Sequence, residues 1–445
     1  MASSGTTCTH TALHVEVSPH AEEAGFSPLS ASKLAAAANP SGRAPGSSKD
    51  QAIVLDSEDS PADPEPCYPA PLVLPGDALA VDPGYHGQNL RSWIQLKQRN
   101  AVTERRKMIY VASTPVITDD MSIMSRWTVP LGKSRRQKAE VKPLDPDHVI
   151  EYLAAFYHGL PVKQYPGTFR FVSWDEKPTK KQSFVGLAVG NSCTRVRARP
   201  PPDGKFTRQL NLNDVLDALM ANLPADAFAV ILLVDHDLYE DKDDDFCCGR
   251  AYGGSRVCVV SSARYRPELD DYWGIDLQHM WPASHCASYV NKMCGLPNSR
   301  LGSKTQTVAD EEPKLKPLRA AVEAAKKASP PADDLYGLWL SRFVRTAAHE
   351  LGHCVALDHC IYYACVMQST TGMAEDVRQP PYLCPVCLKK VTRAILDVNK
   401  GIEADVYLAR RDVALLKYCE TWKQNAMFAG YGAWLDCMLN PPVHE

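Results

Sequence analysis

The stretch HELGHCVALDHCIYYACVM, His349 to Met367, holds three histidines and three cysteines, and CPVC follows at Cys384–Cys387. So many metal-ligand residue types constrain a fold more tightly than an apolar run does, because their side chains must converge in space. On a helix, His349 and His353 stack on one face, about 6 Å between side-chain roots. Two imidazoles so placed hold one zinc, and Glu350 sits where it can address a zinc-bound water as general base. A catalytic zinc keeps three protein ligands and one open position. His359 supplies the third if the helix ends near Ala356 and the chain turns back. Asp358 and Glu375 are rival third ligands, although imidazole suits zinc best. Without a third ligand, HExxH is equally a surface helix with chance histidines.

Cys360 and Cys365 follow at once, and Cys384 and Cys387 form a CxxC knuckle around a proline. Four thiolates fill a tetrahedron and leave no open position, so this second zinc is structural and contributes folding energy. The plain alternative is reduced thiols buried as small hydrophobes. It suits single cysteines better, and Cys354, Cys247, Cys248 and Cys258 are read as core or strand filler. The expectation is two zinc ions per chain, one catalytic and one structural. The neighbours His359 and Cys360 divide between them.

Composition narrows the alternatives. The chain has 445 residues, 45% hydrophobic and 23% charged, which predicts a large globular domain with appendages. The formal net charge is −3. Residues 1–70 hold three basic and nine acidic residues, net −6, leaving +3 elsewhere. No basic block with interleaved aromatics marks a nucleic-acid surface. No apolar run reaches the ~20 residues of a membrane span, and AFAVILLV is short enough for a buried strand. The N-terminus lacks the basic patch and apolar core of a secretory signal. The expected location is therefore cytoplasmic or nuclear, where an odd count of 15 cysteines points to metal rather than disulfides.

Residues 1–69 are rich in Ala, Ser, Pro and Gly, and such a segment cannot build a core, so it is expected to be disordered. Within it Ile53, Val54, Leu55 and Asp56, followed by further acids and serines, resemble a SUMO-interacting motif that adds a strand to a basic groove. From about Pro71 the pattern turns globular. LDPDHVIEYLAAFYHGL and NLNDVLDALMANLP, capped at or near Asn213, read as amphipathic helices. RKMIYVAS, FVGLAVG, AFAVILLVDHDLY and RVCVVSSARY read as strands, which implies a mixed sheet with helices packed on it. Residues 267–334 break this rhythm and read as an exposed, partly helical insertion. Leu335, Leu338, Trp339, Phe343 and Ala347 then share one stripe of a buried helix that leads into the histidines.

HELGHCVALDH, CIYYACVM and CPVC, in that order and spacing, resemble the archaemetzincins, zinc-dependent metallopeptidases. VDHDLY, FCCGRA, VVSSARY and PGDALA are similar to further parts of that family. The resemblance covers roughly 71–266 and 335–445. It implies an α+β fold: a zincin- or metzincin-like mixed β-sheet with an active-site helix, a smaller, mostly helical C-terminal subdomain and a disordered N-terminus. The division would be a tail over 1–69 and a catalytic domain over 70–445. Its upper part, 70–359, would contain the insertion, and its lower part, 360–445, the structural zinc.

By the same resemblance, His349, His353 and His359 bind catalytic zinc, Glu350 is the general base, and Cys360, Cys365, Cys384 and Cys387 bind the second zinc. Met367 would form the Met-turn beneath the site, with Met373 as the alternative. Substrate would lie along an edge strand near Val257 and Val259. One departure stands out. The family pattern has glycine where this chain has Ala356, and alanine in a left-handed conformation costs about 1 kcal/mol.

The function expected is hydrolysis of peptide bonds in peptides or proteins, an aminopeptidase being one form of it. The competing reading is a non-catalytic, zinc-stabilised interaction module. Neither a nucleic-acid nor a membrane partner is expected.

Overall fold

The computed structural model describes residues 8, 10–45, 68–132, 141–175, 183–252, 254–296 and 316–440. The strands are β1 (Met108–Ala112), β2 (Val116–Ile117), β3 (Val162–Gln164), β4 (Arg170–Val172), β5 (Phe184–Val189), β6 (Ser192–Arg199), β7 (Gln209–Asn211), β8 (Ala227–Val234), β9 (Asp237–Tyr239), β10 (Gly249–Ala251) and β11 (Val257–Ser261). They form two sheets. The first runs β10-β11-β8-β1-β3, with β3, β1, β8 and β11 parallel and β10 antiparallel to β11. The second runs β2-β4-β5-β6-β7-β9. The architecture is mixed α/β.

Strand β8, AFAVILLV, lies between β11 and β1, and all eight of its residues are buried. A strand covered on both faces has no reason to alternate polar and apolar residues. The continuous run AFAVILLVDHDLY does not stay in one sheet. β8 ends at Val234, and β9 pairs with β7 in the second sheet. Buried Arg264, just beyond β11, donates to Asp237 of β9 and to Asp203, tying the two sheets together.

The helix predicted at Pro146–Phe156 is present, its N-cap Asp145 accepting from the Asp147 N–H. The helix Leu212–Ala221 is capped by Asn211 rather than Asn213: the Asn211 side chain accepts from the Asp214 N–H at 3.2 Å. The long helix Leu335–Cys354 lies against the first sheet, and its cap Asp334 accepts from the Gly337 N–H at 3.0 Å. Leu338, Trp339, Phe343 and Ala347 are buried as the stripe requires.

Two expectations about the appendages need correction. Residues 10–45 do not form a structureless tail. They contain the helices His20–Ala24 and Ala31–Ala37, and Ala21 and Phe26 pack against Val73 and Leu79. The Ser18 hydroxyl donates to the Val73 carbonyl at 2.5 Å. The segment has too little apolar surface to build a core alone, but a few apolar residues suffice to dock on a core already made. Ile53, Val54, Leu55 and Asp56 lie outside the described residues. The described parts of 267–334 are likewise folded onto the body: Trp281, Tyr289 and Val290 are buried. The helix Lys316–Lys327 packs Leu318 and Ala321 inward, with the Ala321 carbonyl close to Gly430 of the helix Ala426–Leu439. No helix among the described residues is long and apolar enough to cross a membrane.

Candidate metal centre and active-site cleft

The helix Leu335–Cys354 ends in a turn that determines the site. The Ala356 N–H donates to the His353 carbonyl at 2.8 Å, and the Leu357 N–H to the Gly352 carbonyl at 3.0 Å. This pair of bonds is the Schellman motif, which needs a left-handed residue at its centre. Ala356 is that residue, at φ 64°. Glycine would adopt this conformation freely; alanine does so here because the surrounding contacts hold it. Trp93 Nε1 donates to the Val355 carbonyl at 3.0 Å, Gln88 Nε2 to the Ala356 carbonyl at 3.0 Å and Asn100 Nδ2 to the Cys354 carbonyl at 3.2 Å. The helix-end carbonyls are thereby satisfied, and the chain reverses toward His359.

The reversal brings His349, His353 and His359 together. One ring nitrogen from each lies within 4.8 Å of the others, and the Nε2 atoms of His349 and His353 are 3.0 Å apart. His349 Nδ1 donates to the Val366 carbonyl and His353 Nδ1 to the Leu357 carbonyl, each at 2.7 Å. Those bonds fix the tautomer and leave both Nε2 atoms facing the cluster, the orientation a metal-binding imidazole requires. Burial lowers the pKa of all three rings below the usual 6.5, that of His353 to about 4. Neutral imidazole is the ligand form. The residues present therefore fit a divalent ion of the zinc type. The rival ligands are engaged elsewhere. Asp358 Oδ1 accepts from the Tyr85 hydroxyl at 2.5 Å, and Glu375 accepts from the N–H groups of Ala78 and Thr371 at 3.0 and 2.8 Å.

Glu350 is buried beside this cluster, and its Oε2 has no hydrogen-bond partner. Burial pushes its carboxyl up to about 8, while Arg250 and the Ala251 N–H pull in the opposite direction. Met367 is fully buried and rests on the motif helix: a Cβ built at Gly352 would come 2.5 Å from the Met367 sulfur. Met373 instead places its sulfur 3.6 Å from Cys248 Sγ. Of the two methionines, Met367 is therefore the one packed against the motif helix at Gly352.

Cys360, Cys365, Cys384 and Cys387 are buried, with all four sulfurs within 4.8 Å of one another. The N–H groups of Met367 and Cys384 point at Cys365 Sγ, at 3.4 and 3.3 Å. Cys384 caps the helix Pro385–Leu396, whose N-terminal end favours a thiolate. This donor set fits a closed tetrahedral zinc. Cys354 packs as core, but Cys247 and Cys248 do not act as strand filler. They precede β10 and line the cleft in front of His349 and Glu350.

The expected edge strand also needs correction. Val257 and Val259 belong to β11, which is paired on both sides and buried throughout. The edge is β10, whose outer side carries no strand among the described residues. An uninterrupted apolar run is the signature of an interior strand, and β11 has it. Gly249 of β10 forms part of the cleft wall, and nothing in its sequence context marks it. A Cβ there would meet Glu350 Cγ at 2.9 Å and the Val259 carbonyl at 3.1 Å. Tyr265, Arg345 and the loop Gln368–Gly372 also line the cleft.

A mixed α/β fold with a three-histidine centre beside a closed cysteine cluster defines a class of protein that carries two candidate metal sites on one chain reversal. The family model of peptidase family M54 matches residues 329–393, the segment holding every candidate ligand of both sites. Archaemetzincin-2 of Homo sapiens is 28% identical over 187 residues, 42% of this chain and 42% of its own length. Archaemetzincin-2 of Mus musculus is 26% identical over the same shares of each chain. Archaemetzincin-1 of Mus musculus is 26% identical over 245 residues, 55% of this chain and 38% of the relative. The chain thus matches about half or less of the length of these relatives. The crystal structure of archaemetzincin from Methanopyrus kandleri aligns with 66% of this chain and 98% of its own, at 16% identity and a TM-score of 0.32, too low to carry an argument. The chain is thus similar to the archaemetzincins over the segment that carries both candidate metal sites.

Proposed function

We propose that this protein is a zinc-dependent metallopeptidase that hydrolyses peptide bonds in the cleft between β10 and the helix Leu335–Cys354. One observation carries the reading. Three neutral imidazoles converge on a point beside the buried, unpartnered Oε2 of Glu350. His349, His353 and His359 would hold the ion. When bound, zinc acts as a Lewis acid, acidifying water and polarising a carbonyl. Glu350 takes the proton of the attacking water on Oε2 and passes it to the leaving amine. Its burial raises its basicity toward the range useful near neutral pH. The free edge of β10 offers backbone groups to an extended peptide, which orients the scissile bond. Cys360, Cys365, Cys384 and Cys387 would hold a second, structural zinc. A reducing compartment, cytosol or nucleus, keeps such thiols available.

A non-catalytic scaffold would have no use for a carboxylate buried at this place. The deciding experiment digests a peptide library with free and blocked N-termini, using the zinc-loaded full chain and its Glu350→Gln variant. The variant should keep its zinc and lose hydrolysis by about 10²–10⁴-fold, the usual worth of a general base. Undiminished hydrolysis would remove the assignment. Cleavage confined to free N-termini would identify an aminopeptidase.

A further inference from the structure

The N-terminal segment leads to a cluster of side chains that peptide hydrolysis does not use. Leu13 forms an antiparallel bridge with Cys286, the His14 N–H donates to the His285 carbonyl at 2.7 Å, and the Ala287 N–H to the Ala12 carbonyl at 2.9 Å. This short pairing delivers Cys8 and His10 to His279 and Cys286. Cys8 Sγ and one ring nitrogen from each of His10 and His279 lie within 4.8 Å of one another. Cys286 Sγ is 3.3 Å from Cys8 Sγ, and the Ser288 hydroxyl lies 3.1 and 3.2 Å from the two sulfurs.

The histidines are set up as ligands are. His279 Nδ1 meets Asp276 Oδ2 at 2.8 Å, and its ring stacks on Tyr289 with centroids 4.3 Å apart. Its Nε2 is buried without a hydrogen-bond partner, and so is that of His10. A buried nitrogen left unsatisfied is destabilising, so two in one cluster call for an explanation. A carboxylate behind an imidazole, fixing its tautomer and orientation, is the arrangement that supports a ligating histidine. Cys8, His10 and His279 supply three converging donors, and Cys286, whose sulfur touches that of Cys8, stands next to them as the fourth; two thiolates and two imidazoles are a donor set of the structural zinc type.

We infer that Cys8, His10, His279 and Cys286 form a third metal site, a structural zinc that clasps the N-terminal segment to the stretch following β11. The inference does not depend on peptidase activity. Its ligands come from two stretches far apart in the sequence, Cys8 being 278 positions from Cys286, which is why no compact motif announces it. Binding here orders residues 10–45, whose own apolar contacts are few.

Zinc content of the full chain, purified under reducing conditions and desalted, tests the site. Wild type should carry one zinc more per chain than Cys8→Ser, and one more than His10→Ala. This difference holds whatever the other two sites contain. Asp276→Asn keeps all four ligands, and should release one zinc at about 10–100-fold lower chelator concentration. Limited proteolysis should free the N-terminal segment faster in Cys8→Ser, while circular dichroism of the remainder stays unchanged. Equal zinc content in wild type and both ligand variants would overturn the inference. So would an intact mass showing Cys8 and Cys286 joined as a disulfide.

Discussion

Gly249 and Glu350 are in contact across the cleft wall, so that a single methyl group on the glycine would fall 3.0 Å from the carboxylate Oε1 and 2.9 Å from Cγ. The edge strand and the carboxylate therefore determine each other's position. Gly249→Ala should displace Glu350 by a few tenths of an ångström or more. Misplacements of about 1 Å cost on the order of 10²-fold in rate. Turnover should fall by about one to two orders of magnitude while zinc content is unchanged. Paired kinetic and metal measurements check this, and undiminished turnover would show that the two groups move independently.

Ala356 occupies a left-handed conformation at the end of the motif helix. Ala356→Gly removes a steric cost of about 1 kcal/mol, partly offset by the greater freedom of glycine in the unfolded chain. Ala356→Val adds a β-branched side chain in the same conformation and should destabilise by more than 1 kcal/mol on that scale. Urea denaturation of the two variants should therefore bracket the wild type, with glycine equal or higher in midpoint and valine lower.

His236 is buried against Phe171 and Trp127, and burial depresses its pKa from 6.5 to about 4. It is neutral in the folded protein at pH 7. Below pH 6.5 the unfolded chain binds a proton that the folded one refuses, so stability falls as acid is added and levels off below about 4. Between pH 7 and 5 the loss from this residue is about 2 kcal/mol. His236→Phe should abolish that share of the acid sensitivity, as seen in denaturation curves at the two pH values. Parallel curves for wild type and variant would contradict it.

Cys387→Ser opens the four-sulfur cluster. One zinc should be lost and the thermal midpoint should drop by on the order of 10 °C, because metal loss belongs among the largest single-residue effects. Calorimetry with and without added Zn²⁺ measures this; an unshifted midpoint would leave the cluster without a structural role.

The three-histidine and four-cysteine clusters were legible in the sequence because their residues are close neighbours along the chain, unlike the cluster of Cys8, His10 and His279. His349 and His353 share a helical face by spacing alone, and CPVC declares its own geometry. The turn at Ala356 followed from the same logic, since His359 cannot reach the helix face without a reversal. The features that escaped depend on distant partners. VCVVS has the uninterrupted apolar run of an interior strand, but its outer neighbour β10, the short and partly exposed GRA, carries no strand signal that would reveal the true edge. Gly249 is small because of Glu350, some hundred residues away, and nothing in GRAYGG signals that. Phe26 and Ala21 look too sparse to fold, and by themselves they are; the surface formed by Val73 and Leu79 accommodates them. AFAVILLVDHDLY gives no sign that its last residues cross into a second sheet.

His359 and Cys360 are joined by one peptide bond, and each turns into a different cluster. Neither cluster can shift without dragging the other's terminal donor with it. Whatever ion orders the sulfur cage also removes conformational freedom from the imidazole trio, and thermodynamic reciprocity makes that assistance equal in both directions. Stripping and reloading should therefore proceed as a linked pair rather than as two separate titrations.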